Sequence, residues 1–354
     1  MSERVSREIT ALLDEAEAHG RCAAVGCDRL RRALVRRCST GELVSPRSGL
    51  FARTPYWESL VGSERARHVL LGLRELHPGW AFCGPSAAVL LGLSVSNHLL
   101  REVHLAAAGS SHWRDAPGIR RHVTDPDELV EKDGVPVTSL ERTAFDCMRW
   151  LSFREGLVVA DSALRTGGLA RSELEEYVGR HRGGYHGIAQ ARMTVAHADA
   201  RSESGGESLA RAAMWELGFA MPDLQVEVPS PFSGSGVYRV DFRWVLPDGT
   251  ENYGELDGGE KYRNPEMNGG SPLAALRRER SRESRLTVAH AGIIRFTPQD
   301  VADTAFFDWL LRLYGTPRER EPLIQIPSLR PVPAPEPPAV ELVPVEAYGL
   351  HDVR

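Results

Sequence analysis

The side chains best suited to chemistry lie in the C-terminal third of the chain. In VYRVDFRWV (237–245), strand alternation puts Tyr238, Val240, Phe242 and Trp244 on one face and Arg239, Asp241 and Arg243 on the other. In ENYGELDG (251–258), Tyr253, Glu255 and Asp257 share a face. A Pro-Asp-Gly turn at 247–249 joins the two, so a hairpin brings Asp241 towards Glu255 and Asp257. Three converging carboxylates repel one another unless a cation joins them. Mg²⁺ or Mn²⁺, which take oxygen ligands, suit such a set, and Glu207 in the preceding helix adds a fourth carboxylate. A metal held this way orients and deprotonates a water and polarises a phosphodiester. Lys261, just past a Gly-Gly turn, supplies positive charge for the phosphate or for the attacking water. Arg278, Arg282 and Arg285 fall at i, i+4 and i+7 of a helix over 272–288 and form a basic stripe beside the acids.

The elements that position these groups begin near residue 204. An amphipathic helix ends at Gly218, strands follow at 224–228, 237–245 and 251–258, then the arginine helix and a short buried strand at 291–297. The order is αβββαβ. From about 316 the chain turns proline-rich, with nine prolines between Pro317 and Pro344, which predicts an extended tail able to dock a protein partner.

At the other end, residues 4–19 carry a helical apolar period and Gly20 is a stop signal. A second helix is expected from an Asp28 N-cap to about Cys38. Residues 41–53 read as a β-hairpin turning at Pro-Arg-Ser-Gly. Between residues 29 and 53 stand seven arginines and one acidic residue, Glu42. Helix, arginine helix and hairpin make a winged-helix-like pattern in which Arg29, Arg32, Arg36 and Arg47 suit contacts to phosphates, most naturally those of double-stranded DNA. Residues 60–200 read as mostly helical, with helices at 62–76, 84–92, 139–151, 153–166, 171–181 and 186–199, and short strands at 102–107 and 119–123. The resulting expectation is an α+β multi-domain chain: 1–58 winged-helix-like, 59–200 mostly helical, 201–316 an α/β domain, 317–354 a proline-rich tail.

Composition bounds the function. The net charge of −5 excludes a globally basic surface, so nucleic-acid contact must be local. The five cysteines show no zinc-site spacing and read as reduced thiols. The first twenty residues are charged and amphipathic, unlike a signal peptide, and no apolar run reaches the roughly 18–20 residues needed to cross a bilayer. A cytoplasmic protein with no membrane contact is expected.

The segments RVDFRW, GELDGGEKY, RRERSRESRL and GIIRFT, in that order, resemble the PD-(D/E)xK nuclease superfamily, in particular domains related to very-short-patch-repair endonucleases. The resemblance spans about 95 residues and implies a restriction-endonuclease-like fold. It implies Asp241 and Glu255 as metal-binding carboxylates, Asp257 as a third acid, and Arg282, Glu283 and Leu286 in the helix motif. The superfamily's lysine position is held here by Asp257, and Lys261 follows from the next turn. Residues 10–170, through LRRALVRRCSTGELVSPRSGLFAR, FCGPSAAVLLGL, GVPVTSLERTAFDCMR and FREGLVVADSAL, resemble AbiEi-type antitoxin-like regulators. Together the resemblances imply a metal-dependent DNA endonuclease in phage defence, a toxin–antitoxin system or DNA repair. The alternative is a non-catalytic, DNA-binding transcriptional regulator with an inactive nuclease fold.

Overall fold

The computed structural model describes residues 3–109, 117–181, 185–229, 237–257 and 292–327. Lys261, Arg278, Arg282, Arg285, Glu283 and Leu286, with the expected helix over 272–288 and the tail from 328 onward, lie outside the described residues. The architecture is mixed α+β and multi-domain.

The first unit contains α1 (Glu3–Ala18), β1 (Ala23–Ala24), α2 (Asp28–Ser39), β2 (Leu43–Val44), β3 (Leu50–Arg53) and α3 (Thr54–Ser59). Ile9, Leu13 and Ala16 repeat at helical spacing and meet Leu34 of α2 and Leu43 and Phe51 of the hairpin in one core. The sheet order is β1-β3-β2, with both pairings antiparallel. The RCAAVGC segment therefore supplies a short strand against β3. Cys27, in extended conformation, stands at the N-cap in place of the expected Asp28, which becomes the first helical residue. Gly20 takes a left-handed φ of 61° and ends α1 as expected.

The second unit holds α4 (Gly62–Leu76), β4 (Ala81–Phe82), α5 (Gly84–Leu90), β5 (Val103–Ala107), β6 (Ile119–Val123), β7 (Leu129–Lys132) and β8 (Val135–Thr138). Four helices follow: α6 (Leu140–Trp150), α7 (Phe153–Arg165), α8 (Arg171–Arg180) and α9 (Ile188–His197). The six expected helices are all present within a few residues. The two expected strands, β5 and β6, are joined by three more, and the five form a mixed sheet in the order β6-β5-β4-β8-β7. Its core joins Phe82, Leu105 and Val137 to Leu70 and Leu73 of α4, and reaches Cys22 and Leu50 of the first unit. Ser139 caps α6 by accepting from the Arg142 N–H, and Ser152 caps α7 in the same way from the Glu155 N–H.

The third unit starts with α10 (Gly205–Glu216) and continues through β9 (Asp223–Pro229), β10 (Val237–Val245), β11 (Glu251–Leu256) and β12 (Gly292–Phe296). Two helices not expected from the sequence close it, α11 (Pro298–Ala302) and α12 (Thr304–Leu313). The sheet order is β12-β11-β10-β9; β11 and β12 run parallel and the other pairs antiparallel. Phe242, Trp244, Ile294 and Phe296 bury one sheet face against Ala210, Ala213 and Met214 of α10 and Phe307 and Leu311 of α12. A buried ion pair joins the second and third units: Arg211 Nη1 donates to Asp161 Oδ2 at 2.6 Å, and its Nη2 donates to the His197 carbonyl. No helix among the described residues is long and apolar enough to cross a membrane.

The proline-rich segment was expected to leave the fold after about 316, but its first part is docked. The Leu323 N–H donates to the Glu216 carbonyl, Glu319 N–H to Gly218, and Arg320 stacks over Trp215 at 4.2 Å. Gly218 permits this, since its φ is 82° and an added Cβ would overlap the Arg320 carbonyl. Gly218→Ala is expected to cost about 1–3 kcal/mol of stability through left-handed strain and loss of that docking. Urea unfolding, with limited proteolysis after Arg318 and Arg320, checks it; unchanged stability and cleavage would contradict the docked geometry.

Candidate active site

The acids expected from the sequence gather where two strands part. β10 and β11 pair from Val245↔Glu251 to Phe242↔Gly254, while β11 stays with β12 as far as Leu256↔Phe296. Beyond the Phe242↔Gly254 pair the side chain of Asp241 takes over from the ladder: its Oδ2 accepts the Leu256 N–H at 3.0 Å. The next residues along the same register are Asp241 and Glu255, where the pairing has stopped. On the far side Glu255 pairs with Arg295 of β12. On the near side the β9 register sets Gln225 opposite Asp241. Gln225, Asp241, Glu255 and Arg295 thus occupy one transverse row across all four strands.

Part of the negative charge in this row is offset from within. Arg295 Nη1 lies 3.1 Å from Asp257 and Nη2 lies 3.5 Å from Glu255. Glu255 is 8% exposed, so an uncompensated charge there would be costly. Asp257 is fixed by its own N–H, which donates to the Phe296 carbonyl. Among the described residues no group of three or more His, Cys, Asp or Glu side chains stands ready to hold a metal ion. The expected set of Asp241, Glu255, Asp257 and Glu207 is therefore brought into one neighbourhood, with a guanidinium bridging two of its members.

Glu207 has a structural task as well. It is the third residue of α10, whose N-cap Ser204 Oγ accepts the Glu207 N–H and donates back to Glu207 Oε1. Glu207 Oε2 accepts from the Glu203 N–H and from Gln225 Nε2, at 2.8 and 3.0 Å. Ser204 and Glu207 thus cap α10 together, a relative of the capping box in which Glu207 takes the N–H one residue before the cap. Burial pushes the Glu207 carboxyl above its ordinary pKa of 4.5; the Asp241 charge pushes the same way, and the hydrogen bonds oppose both. The folded state then holds the proton more tightly than the unfolded chain. That contribution favours folding below pH 4.5 and is lost as pH rises through the raised value. Glu207→Gln is expected to remove this slope. Stability measured by urea unfolding at pH 4.5 and at about pH 7 should shift towards the variant as pH rises; a pH-independent difference would contradict the assignment.

Sequence reasoning missed two members of this row. Gln225 has a left-handed φ of 53° inside a strand, a conformation a non-glycine residue adopts only when its surroundings impose it. Its Oε1 is buried without a hydrogen-bond partner, and its amide reaches Glu207. Nothing in the local sequence signals that conformation. Arg295 is signalled, being a lone cation in the apolar strand GIIRF.

The arginines of the first unit divide. Arg29, Arg32 and Arg36 are exposed on α2, with Arg29 paired to Glu8 at 2.6 Å. Arg47 is half-buried, and its Nη2 donates to the Arg101 carbonyl at 2.7 Å. The hairpin turn is therefore docked on the second unit.

Two Mycobacterium tuberculosis proteins, the uncharacterized proteins MT2308 and Rv2248 of two strains, are each 31% identical to this chain over 214 residues, covering 60% of this chain and 74% of each relative. The chain belongs to their family. No family model matches it.

Proposed function

We propose that the chain is a cytoplasmic DNA-acting protein whose third unit is a metal-dependent phosphodiesterase of the restriction-endonuclease type. The observation that carries this reading is the parting of β10 from β11 at Asp241, which leaves Asp241, Glu255 and Asp257 at one end of the sheet. The donor set is all carboxylate, the hard-oxygen chemistry that Mg²⁺ or Mn²⁺ takes. Gln225 Oε1, buried and without a partner, is a further neutral oxygen beside it. Asp241 and Glu255 would hold the cation, with Asp257 or Glu207 completing the set. The bound metal would supply Lewis acidity and an activated water. Arg295 would then contribute positive charge at the phosphate once its carboxylate partners turn to the metal. The order of motifs shared with PD-(D/E)xK nucleases supports the same reading.

The first unit would bind duplex DNA as a winged-helix-like module through the exposed arginines of α2. Arg32→Ala and Arg36→Ala are each expected to weaken duplex binding and to lower the slope of log affinity against log salt by about 1. Fluorescence anisotropy over a salt series checks this, and an unchanged slope in both variants would exclude α2 from the interface.

Incubation of plasmid, linear duplex and single-stranded DNA with the protein and Mn²⁺ tests the enzymatic reading, with EDTA and the Asp241→Ala and Glu255→Ala variants alongside. Cleavage that needs Mn²⁺ and is lost in both variants is expected. Cleavage that persists in both variants would exclude this site. A second reading is favoured by Arg295, whose pairing with Glu255 and Asp257 already satisfies two acids without a metal. On that reading the chain is a non-catalytic, antitoxin-like regulator, and DNA binding without cleavage under any condition would select it.

A further inference from the structure

A cavity of about 320 Å³ opens between the first and second units, remote in sequence from the acidic row. Its wall is apolar, formed by Trp57 beyond the hairpin, Val69 and Leu70 of α4, and Val89 of α5. Three arginines, Arg47, Arg65 and Arg101, line the same space with one acid, Glu102. Arg47 and Arg65 donate to neutral acceptors. Arg65 Nε donates to the Trp57 carbonyl at 2.9 Å and its Nη2 to Glu58, while its guanidinium lies 5.6 Å from the Trp57 ring centre. Arg47 donates to the Arg101 carbonyl. Carbonyl oxygens take up hydrogens of a guanidinium and leave its charge in place. Glu102 offsets part of this charge, acting on Arg47, but its two oxygens also accept from Arg120 Nε at 3.1 and 3.2 Å, so one acid is shared among more cations than it can neutralise.

An apolar chamber with convergent cations at its edge selects a ligand that carries both features. We infer that this cavity binds a small aromatic carboxylate, its ring against Trp57, Val69 and Val89 and its carboxylate facing the arginines. The volume is at the low end for small-molecule sites, which fits one fused ring system and not a nucleotide. Guanidinium groups suit carboxylates because two parallel N–H bonds match two oxygens. Burial lowers the pKa of Arg47 although the Glu102 charge opposes the shift, so this guanidinium is short of solvation. Because Arg47 belongs to the hairpin and Arg101 to the second unit, such a ligand would fasten the two units together.

Titration of the full chain with 1-naphthoate, followed by calorimetry, tests this, with 1-naphthalenemethanol as the neutral analogue and inorganic phosphate as competitor. Saturable naphthoate binding about tenfold tighter than the alcohol is expected, consistent with one charge-assisted contact. Arg101→Gln, at an exposed position, should weaken naphthoate about tenfold and leave the alcohol unchanged. Val69→Phe should fill the chamber and abolish both. Circular dichroism confirms folding of the variants, and Arg101→Gln decides the matter if Val69→Phe does not fold. Absence of saturable binding, equal affinity for acid and alcohol, no effect of Arg101→Gln, or displacement by phosphate at equal concentration would each overturn the inference.

Discussion

Asp241→Asn is expected to lower Mn²⁺-dependent DNA cleavage by about 100-fold or more, beyond the range seen when only a supporting partner of a metal ligand is lost. The substitution keeps the shape and the acceptor oxygen through which Asp241 holds the Leu256 N–H, so the parted strands stay in register. What it removes is the charge. It thereby separates two roles that Asp241→Ala confounds, the pinning of β11 and the attraction of a cation. Urea unfolding of the Asn variant should change little, because the hydrogen bond survives. Cleavage assays and unfolding curves on the same preparation read both. Activity within a few-fold of the parent would remove Asp241 from the reaction, whatever happens in the alanine variant.

The largest stability effect is expected at Asp146. This carboxylate is 0% exposed and sits between two arginines, Arg142 Nε and Arg149 Nη2, both at 2.8 Å. Burial pushes its pKa up, and the two guanidiniums pull it back. Arg149 continues into an aromatic cluster, with its guanidinium 4.6 Å from the Trp150 ring centre and 5.5 Å from that of Tyr185. Asp146→Ala leaves two buried cations without their shared counter-charge. Breaking a buried pair from one side costs about 3–5 kcal/mol, and two cations are exposed to that loss here. The urea midpoint at neutral pH should fall accordingly. A loss below about 1 kcal/mol, the range of a surface pair, would mean the cluster is better solvated than its burial indicates.

The acidic row shows which parts of such a site are legible in sequence. Alternation in VYRVDFRWV and ENYGELDG sets Asp241 and Glu255 on a common face; the observed pairing runs from Val245↔Glu251 to Phe242↔Gly254 and stops one residue short of them. Alternation cannot say where a hairpin stops pairing, and that stop is what makes Asp241 reach across to β11. The four-strand order, which brings Arg295 beside Glu255, depends on a parallel pairing between residues 40 apart in sequence, and no local pattern encodes it.

In the second unit the helices were readable because their apolar stripes run for several turns. β4 is two residues long and shows no period at all. The β7–β8 hairpin did carry a signal, Asp133-Gly134 between LVEK and VPVT, and both residues take the positive φ that such turns require. The docking of residues 317–327 was hidden by their prolines, which suggest an extended chain and say nothing of the hydrogen bonds that Gly218 and Glu216 offer them. Glu207 illustrates the opposite difficulty. Its type suits a metal, and its position three residues after Ser204 suits a cap, and the structure uses it as a cap.

Titration of Mn²⁺ into the full chain, followed by calorimetry, shows whether the acids at the parted strands form a cation site. Saturable binding at one site is expected, weakened about 10–100-fold or more in Asp241→Asn and Glu255→Gln. Tighter binding is expected in Arg295→Gln, because the guanidinium that competes for Glu255 and Asp257 is gone. Absence of saturable binding in both the parent chain and Arg295→Gln, or binding indifferent to Asp241 and Glu255, would contradict such a site.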